Sequence, residues 1–268
     1  MSLKKDYKSP YASPIIFIIS VVIPTLIIIG IILGFALKGA FAQNVKTYIP
    51  PQAFDYRDQL HDEIQKMLPE LPDYNFLPAL IEHESCISLK HSRCWSPSST
   101  YSTSREHSVG FFQIAKAYRP DGTVRMDTLS DLKNRYTSSL KELTWKNIGQ
   151  RPDLQFRAGL ALTHANWNQL LSVSDPNERM VFVDVAHNSG AGWVAKERRA
   201  CGLAAGCDAQ KWFGNVEKHC LRSKTPNKNW GGLSVCDISR RHPKDVFENR
   251  MPKYQDQYFN KEYLESKQ

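Results

Sequence analysis

The amino-acid sequence predicts a mainly helical domain with little strand, preceded by a single N-terminal transmembrane helix. The transmembrane helix is predicted because residues 15–37 are apolar and carry no charge, and about 20 such residues suffice to cross a bilayer. The helical domain is predicted because most of the later segments with a regular pattern repeat their apolar residues at helical spacing. One long segment, residues 88–107, has no periodicity and is predicted to be a loop.

The composition limits the size of the domain and the choice of partners. The chain has 268 residues, of which 41% are hydrophobic, and this suffices for one core of about 150–200 residues. A net charge of +8 suits an anionic partner, such as nucleic acid, phospholipid headgroups or an acidic wall polymer. Because the basic residues are spread along the chain rather than clustered, a nucleic-acid partner is not predicted. Nucleotide-binding glycine motifs are absent from the sequence, and no cofactor is predicted.

The six cysteines are predicted to form disulfide bonds. Their number is even, no CxxC pair occurs, and no Cys/His spacing resembles a zinc site. Disulfides require an oxidising compartment, and six reduced structural thiols are the alternative. The simplest connectivity joins neighbours along the chain, as 86–94, 201–207 and 220–236. No metal site is predicted.

The N-terminal region is predicted to comprise a cytoplasmic tail, residues 1–13, and the transmembrane helix, residues 14–37. Three lysines precede the apolar run and two follow it, which favours a cytoplasmic N-terminus. We therefore expect a single-pass membrane protein whose main domain lies in the periplasm or otherwise outside the cytoplasm, in agreement with the disulfides. The alternative is a cleaved signal peptide, because Ala40-Phe41-Ala42 has the small-x-small form of a cleavage site.

A linker, residues 38–71, is expected to follow and to contain one short amphipathic helix over residues 54–67. The next helix is predicted over residues 76–87, with Asn75 as its N-cap and Pro78 in its first turn, where proline is tolerated.

This second helix carries a carboxylate on its apolar face. Leu77, Leu80, Ile81, Glu84 and Ile87 fall on one side at helical spacing. Burying an ionised carboxylate costs several kcal/mol unless it is paired, and otherwise its pKa rises. We therefore predict that apolar surroundings keep Glu84 protonated, as a proton donor for use near neutral pH. The alternative is a structural glutamate at the edge of the apolar stripe, paired with an arginine or capping a helix.

The remaining elements are predicted from turn residues and periodicity. Residues 109–114 form a compact apolar run, interpreted as a buried strand or turn, and Asp121-Gly122 is predicted to be a turn. Helices are predicted over residues 129–143, 152–171, 177–187, 193–199 and 245–258, with disulfide-held loops over 201–243.

Four segments, in this order, carry a resemblance to a known family. Ile81-Glu82-His83-Glu84-Ser85 resembles the "ES" helix of the lysozyme-like lytic transglycosylases of the soluble-lytic-transglycosylase type. Gly110-Phe111-Phe112-Gln113-Ile114 is similar to that family's G-L-M-Q-(I/V) segment, and Phe156-Arg157-Ala158-Gly159-Leu160-Ala161-Leu162 is similar to its "aGa-x-yL" helix. Ala186-His187-Asn188-Ser189-Gly190-Ala191-Gly192-Trp193-Val194 is similar to its A-Y-N-A-G-x-G-x-V segment. The resemblance implies a lysozyme-like catalytic domain, α+β with minimal sheet, over residues 72–260.

The same resemblance implies roles for particular residues. Glu84 falls on the catalytic acid. The implied substrate-binding residues are Ser104, Phe112, Gln113, His187 and Asn188. The chain departs from the family pattern in a longer segment between Glu84 and Ser104, and in His187, which stands where tyrosine is usual.

The implied activity is cleavage of the bond between N-acetylmuramic acid and N-acetylglucosamine in peptidoglycan by one glutamate, with an anhydromuramoyl product. A hydrolysing muramidase is an alternative, because most glycosidases use a second carboxylate, for which Asp121 and Asp127 are the candidates. An inactive, membrane-tethered wall-binding or assembly module is the other. The expected partners are peptidoglycan strands, the membrane of a cell or a virion, and a secretion, conjugation or phage-entry complex. The activity would open the wall for such a complex or, equally, serve wall turnover.

Overall fold

Two helices at the start of the described residues close one side of the core. A computed structural model of the chain describes residues 46–267, and its first helices are α1 (Pro51–Phe54) and α2 (Arg57–Met67). Leu60 and Ile64 of α2 are fully buried. The range predicted to be a linker therefore contributes directly to the hydrophobic core.

Helix α3 (Phe76–Ser85) carries Glu84 and is almost entirely buried along its length. It begins after Asn75, as predicted, although the Asn75 side chain binds Asp73 and the backbone of Phe259 instead of capping the helix. It ends two residues earlier than predicted, because Cys86 adopts an extended conformation as the chain turns into the disulfide-closed loop.

A four-stranded antiparallel sheet follows, with its strands in sequence order. The predicted loop over residues 88–107 contains one whole strand and the start of the next. Every residue of the first of them is exposed, so the strand shows no alternation of buried apolar and exposed polar side chains. The turn predicted at Asp121-Gly122 joins the last two strands, and Gly122 takes the positive φ of +82° that favours glycine. The strands are β1 (Thr100–Ser102), β2 (Glu106–Val109), β3 (Ile114–Tyr118) and β4 (Val124–Asp127).

The helices that follow the sheet lie close to their predicted positions. The Asp127 and Asp175 side chains cap the helices that they precede by accepting hydrogen bonds from backbone N–H groups. Pro152 occupies the first turn of the longest helix, where its missing N–H costs nothing. These helices are α4 (Thr128–Arg135), α5 (Thr137–Leu140), α6 (Pro152–Gln169), α7 (Pro176–Ser189) and α8 (Ala191–Gly202), with a 3-10 turn at Ile148–Gln150.

The C-terminal part contains a helix that was not predicted. The side chain of Ser234 and that of Asp237 exchange hydrogen bonds with each other's backbone N–H and start this helix inside the range assigned to loops. It continues through a π-helical turn into the predicted last helix. The elements are 3-10 turns at Val216–Lys218 and Lys228–Trp230, α9 (Val235–Lys244), the π-helical turn Asp245–Arg250, α10 (Met251–Gln257) and α11 (Lys261–Glu265).

The predicted fold class requires a correction at its N-terminal element. Within residues 46–267, no helix has both the length and the apolar character needed to cross a bilayer. The longest of them, α6, has 18 residues and carries charges at Asp153 and Arg157. The predicted tail, the predicted transmembrane helix over residues 14–37 and the alternative cleavage site lie outside the described residues. The fold class that the structure supports is mainly helical with a small four-stranded sheet, and it replaces the predicted domain behind a transmembrane helix.

The three predicted disulfides are confirmed. The structure pairs Cys86 with Cys94, Cys201 with Cys207 and Cys220 with Cys236, at Cα–Cα distances of 4.1, 5.4 and 6.0 Å, which is the usual range or close to it. Each bond closes a loop local to the chain.

We expect the bond between Cys220 and Cys236 to contribute the most stability. Its partners are 16 residues apart, against 8 and 6 for the other two bonds, and closing a loop of about 15 residues restricts the unfolded chain by about 3 kcal/mol. Replacing both cysteines with alanine should lower the Tm by about 6–12 °C, as measured by thermal unfolding. The Cys201→Ala/Cys207→Ala variant is the control and should lose less. Six titratable thiols in the native, non-reduced protein would contradict the assignment.

Candidate active site

An open cavity of about 830 Å³ lies at the C-terminal end of α3, between the sheet and the turn from α7 to α8. Glu84 lines it together with three of the other residues singled out from the sequence, Gln113, His187 and Asn188. Two exposed aromatic side chains, Tyr101 and Trp193, line it as well. Its size and its mixture of aromatic and polar groups suit a small sugar unit or another polar ligand.

Three histidines surround Glu84. His242 lies 2.8 Å from Glu84 Oε1 through its Nε2, and His187 Nε2 lies 3.7 Å from the same oxygen. The ring of His83 packs against that of His242, with 4.1 Å between the centroids. Glu84 is 16% exposed and His242 only 2%, so the carboxylate faces the cavity while the imidazole lies behind it.

Two further carboxylates hold the histidine rings from the other side. Asp184, fully buried on α7, accepts a hydrogen bond from His242 Nδ1 at 2.8 Å. Asp245, at the start of the π-helical turn, contacts His83 Nδ1 at 2.7 Å. His242 therefore bridges two carboxylates, and its two N–H groups point to Asp184 and Glu84.

This arrangement overturns the predicted protonation of Glu84. Burial alone would raise the pKa of Glu84, but the hydrogen bond from His242 and the charges of the nearby histidines outweigh it and hold this pKa well below its usual range. Burial would lower the pKa of His242, but Asp184 and Glu84 raise it well above the ordinary value. Glu84 is thus a carboxylate paired with the imidazolium of His242. The prediction that apolar surroundings keep Glu84 protonated is wrong.

Glu82, two residues before Glu84, anchors α3 to the C-terminal helices. Its carboxylate is fully buried and binds Arg250 Nη1 at 2.6 Å, Lys253 Nζ at 2.7 Å and the Tyr254 hydroxyl at 2.7 Å. Arg250 also donates to Asp245, which holds the His83 ring. The position of the cavity-facing carboxylate therefore depends on residues near the C-terminus.

Gln113 lines the cavity, but all of its side-chain polar atoms serve the fold. Its Oε1 accepts a hydrogen bond from Ser108 at 2.7 Å, and its Nε2 donates to the backbone oxygens of Gly110 and Ser99. Its backbone adopts a φ of +44°, which is uncommon for a residue other than glycine. In this state Gln113 holds the tight turn between β2 and β3.

Two of the residues singled out from the sequence lie elsewhere. Ser104 is exposed in the turn between β1 and β2, away from the cavity, and the serines that line the cavity include Ser99 and Ser108. Phe112 is buried against Gly159, where a Cβ atom would lie 2.1 Å from the ring. It lies behind His187, with 6.5 Å between the ring centroids, and supports the cavity wall.

The two aspartates considered as a second carboxylate have structural roles. Asp121 accepts hydrogen bonds from Thr123 in the β3–β4 turn. Asp127 caps α4 and pairs with Lys116. The carboxylate that lines the cavity besides Glu84 is Glu106 on β2.

Sequence reasoning missed Asp184, His242, Glu106 and the cavity-lining Arg222. Asp184 carried a signal, because it is an acid on the buried face of a predicted helix, as Glu84 is. His242 lies 158 residues from Glu84, on a short, mainly polar amphipathic helix inside the range assigned to loops, and no local pattern pairs the two residues.

No family model matches the sequence, and a comparison with curated proteins finds no similar one. The function of the chain must therefore be inferred from the residues of this site.

Proposed function

We propose that the protein cleaves peptidoglycan glycan strands as a lytic transglycosylase, with Glu84 as the residue that moves the proton. One observation carries the proposal: Glu84 faces a cavity large enough for a sugar unit and has the imidazolium of His242 behind it at 2.8 Å. Because the resting pKa of Glu84 is low, Glu84 can act as an acid only after His242 has transferred a proton to it, and it can act as a base afterwards. The disulfides agree with action outside the cytoplasm.

The reaction needs the proton to pass through Glu84, because His242 is buried behind it. The proton moves from His242 Nε2 to Glu84, and Glu84 donates it to the oxygen that links N-acetylmuramic acid to the next sugar. As that bond breaks, the muramoyl C6 hydroxyl attacks C1 and gives up its proton to Glu84, which returns it to His242 Nε2 and restores the starting ion pair. Asp184 stabilises the charged form of His242 between turnovers. No water is consumed, and the product carries an anhydro ring.

The cavity offers contacts that suit such a substrate. Tyr101 and Trp193 are 52% and 37% exposed on its wall, and aromatic rings of this kind can pack on sugar faces. Arg125 and Arg222 also line it, and their charges suit the carboxylates of the peptide attached to muramic acid. Asn188 lies on the same wall beside His187. We propose that the activity serves local wall opening or wall turnover.

A muramidase is the second candidate, and Glu106 favours it. Glu106 provides a second carboxylate in the cavity, and a carboxylate on the far side of the sugar could activate water in place of the C6 hydroxyl. The product would then carry a reducing end.

Mass analysis of the products from purified peptidoglycan tests the proposal and separates the two candidates. We expect the wild type to release anhydromuramoyl fragments, which are lighter than the hydrolysed fragments by one water. We expect Glu106→Gln to release the same fragments at a similar rate, because the transglycosylase reaction does not use Glu106. Reducing ends from the wild type, lost in Glu106→Gln, would establish the muramidase instead. No fragments at all from the folded wild type would favour a wall-binding module.

A further inference from the structure

We propose that His83, Glu84 and His242 form a binding site for a divalent transition-metal ion of the zinc class. Each offers one ligand atom, and the three atoms lie within 4.8 Å of one another. Two imidazoles and one carboxylate are a ligand set that zinc takes in proteins, with a fourth position left for water or another ligand. Because Glu84 lines the cavity, that fourth position can face the cavity.

The surroundings of the two imidazoles favour metal binding. The Nδ1 atoms of His83 and His242 are held by Asp245 and Asp184, at 2.7 and 2.8 Å. Carboxylates that hold one ring nitrogen in this way orient the other nitrogen towards a metal and increase its basicity. Two independent pairs of this kind, on rings whose centroids are 4.1 Å apart, hold two imidazoles beside Glu84, within reach of one ion.

The charged side chains near the site carry a net negative charge that a divalent cation would balance. Glu82, Glu84, Asp184 and Asp245 bring four negative charges, while Arg250 and Lys253 bring two positive ones. The buried Asp184 Oδ1 has no hydrogen-bond partner in the described part of the chain. A dipositive ion would offset the remaining charge, which protons on the histidines otherwise offset. Metal ion and proton therefore compete for the same nitrogens, and binding should release a proton.

The geometry needs only a small adjustment. His242 Nε2 and Glu84 Oε1 are 2.8 Å apart as hydrogen-bond partners, and two ligands of one tetrahedral zinc lie about 3.3 Å apart, given metal–ligand distances of about 2.0 Å. The three ligand atoms lie within 4.8 Å of one another, so the site closes by rotation of the two partly exposed side chains, Glu84 and His83. His187, 3.7 Å from Glu84 Oε1, is near enough to supply the fourth ligand.

A second cluster of potential ligands provides a matched control. Cys201, Cys207 and His219 also come together, but the two sulfurs are bonded to each other and cannot act as thiolates. His219→Gln should therefore leave metal binding unchanged.

If the proposed function is correct, the ion acts as an inhibitor, whereas the metal site itself does not depend on that function. A metal ion on Glu84 removes the carboxylate that must move the proton. Zn²⁺ should then suppress strand cleavage, and a chelator should restore it.

The experiment is a titration of the purified, metal-stripped protein with Co²⁺, followed by displacement with Zn²⁺. We expect one equivalent of Co²⁺ to give visible d–d absorption typical of nitrogen and oxygen ligands, and Zn²⁺ to abolish it. His83→Gln and His242→Gln should weaken binding at least tenfold, and Asp245→Asn by about tenfold to a hundredfold. His83 is partly exposed, so His83→Gln keeps the test valid if the buried His242 variant does not fold.

Binding without saturation near one equivalent, or equal binding by wild type and a folded His83→Gln variant, would overturn the inference. Loss of binding in His219→Gln with binding retained in His83→Gln would move the site to the second cluster and overturn it equally. The readout requires no glycan, so it can fail while Glu84-dependent cleavage stands, and it can succeed while cleavage is absent.

Discussion

Replacing Glu84 with glutamine is expected to lower the rate of glycan-strand cleavage by about 10²–10⁴-fold, the range that general acid–base catalysis contributes. The amide cannot carry the proton of His242 to the substrate, and it cannot accept the proton of the C6 hydroxyl afterwards. Since His242 is only 2% exposed, it cannot reach the substrate in place of Glu84.

Zymography on peptidoglycan and the rate of soluble-fragment release measure this effect. Glu106→Gln is the matched control, because it removes the other carboxylate that lines the cavity and should leave the clearing zone unchanged. Thermal unfolding of Glu84→Gln must show a folded protein, because the buried imidazolium of His242 loses one of its partners. Equal clearing by wild type and Glu84→Gln would contradict the assignment of the proton-moving residue.

The largest effect on stability is expected at Glu82. Its carboxylate is fully buried, with Lys253 equally buried and Arg250 only 14% exposed. Removing one partner of a buried ionic network strands the remaining charges, at a cost of about 3–5 kcal/mol. Glu82→Leu should lower the free energy of unfolding by about this amount.

Urea unfolding measures this loss, and two further variants interpret it. Glu82→Leu/Lys253→Met should recover part of the loss, because the stranded ammonium is replaced as well. Glu265→Leu breaks the ion pair between Glu265 and Lys261, whose side chains are 61% and 89% exposed, respectively. This change should lower the free energy of unfolding by at most about 1 kcal/mol. If Glu82→Leu were as mild as Glu265→Leu, the network would not hold α3 in place.

The helices were largely predictable because their signals are local. Pro152 in a first turn, the acid of Asp175 before α7 and the break at Gly190 all act within a few residues. The sheet was not predictable in the same way. Its first strand is exposed along its whole length, so it pairs through its backbone with no apolar alternation to reveal it.

In the candidate site, the positions of several residues were predictable from local sequence, but the protonation of Glu84 was not. The family-like segments place Glu84, Gln113, His187 and Asn188, and all four line the cavity. The protonation of Glu84 was predicted wrongly, because the apolar helix face shows only the residues on its own element. The pKa of Glu84 is determined by His242 on α9, whose positive charge is stabilised by Asp184 on α7. Only tertiary packing brings these two residues next to Glu84.

The position of His242 has a consequence for anyone shortening this chain. All the family-like segments end by residue 194, so a fragment cut soon after α8 would keep every recognisable motif. It would nevertheless lack His242, together with Arg250 and Lys253, which hold Glu82 in place. Domain boundaries chosen from motif similarity would therefore yield a fragment that retains Glu84 and the other motif residues. That fragment would lack the residues that keep Glu84 ionised and hold its helix in place.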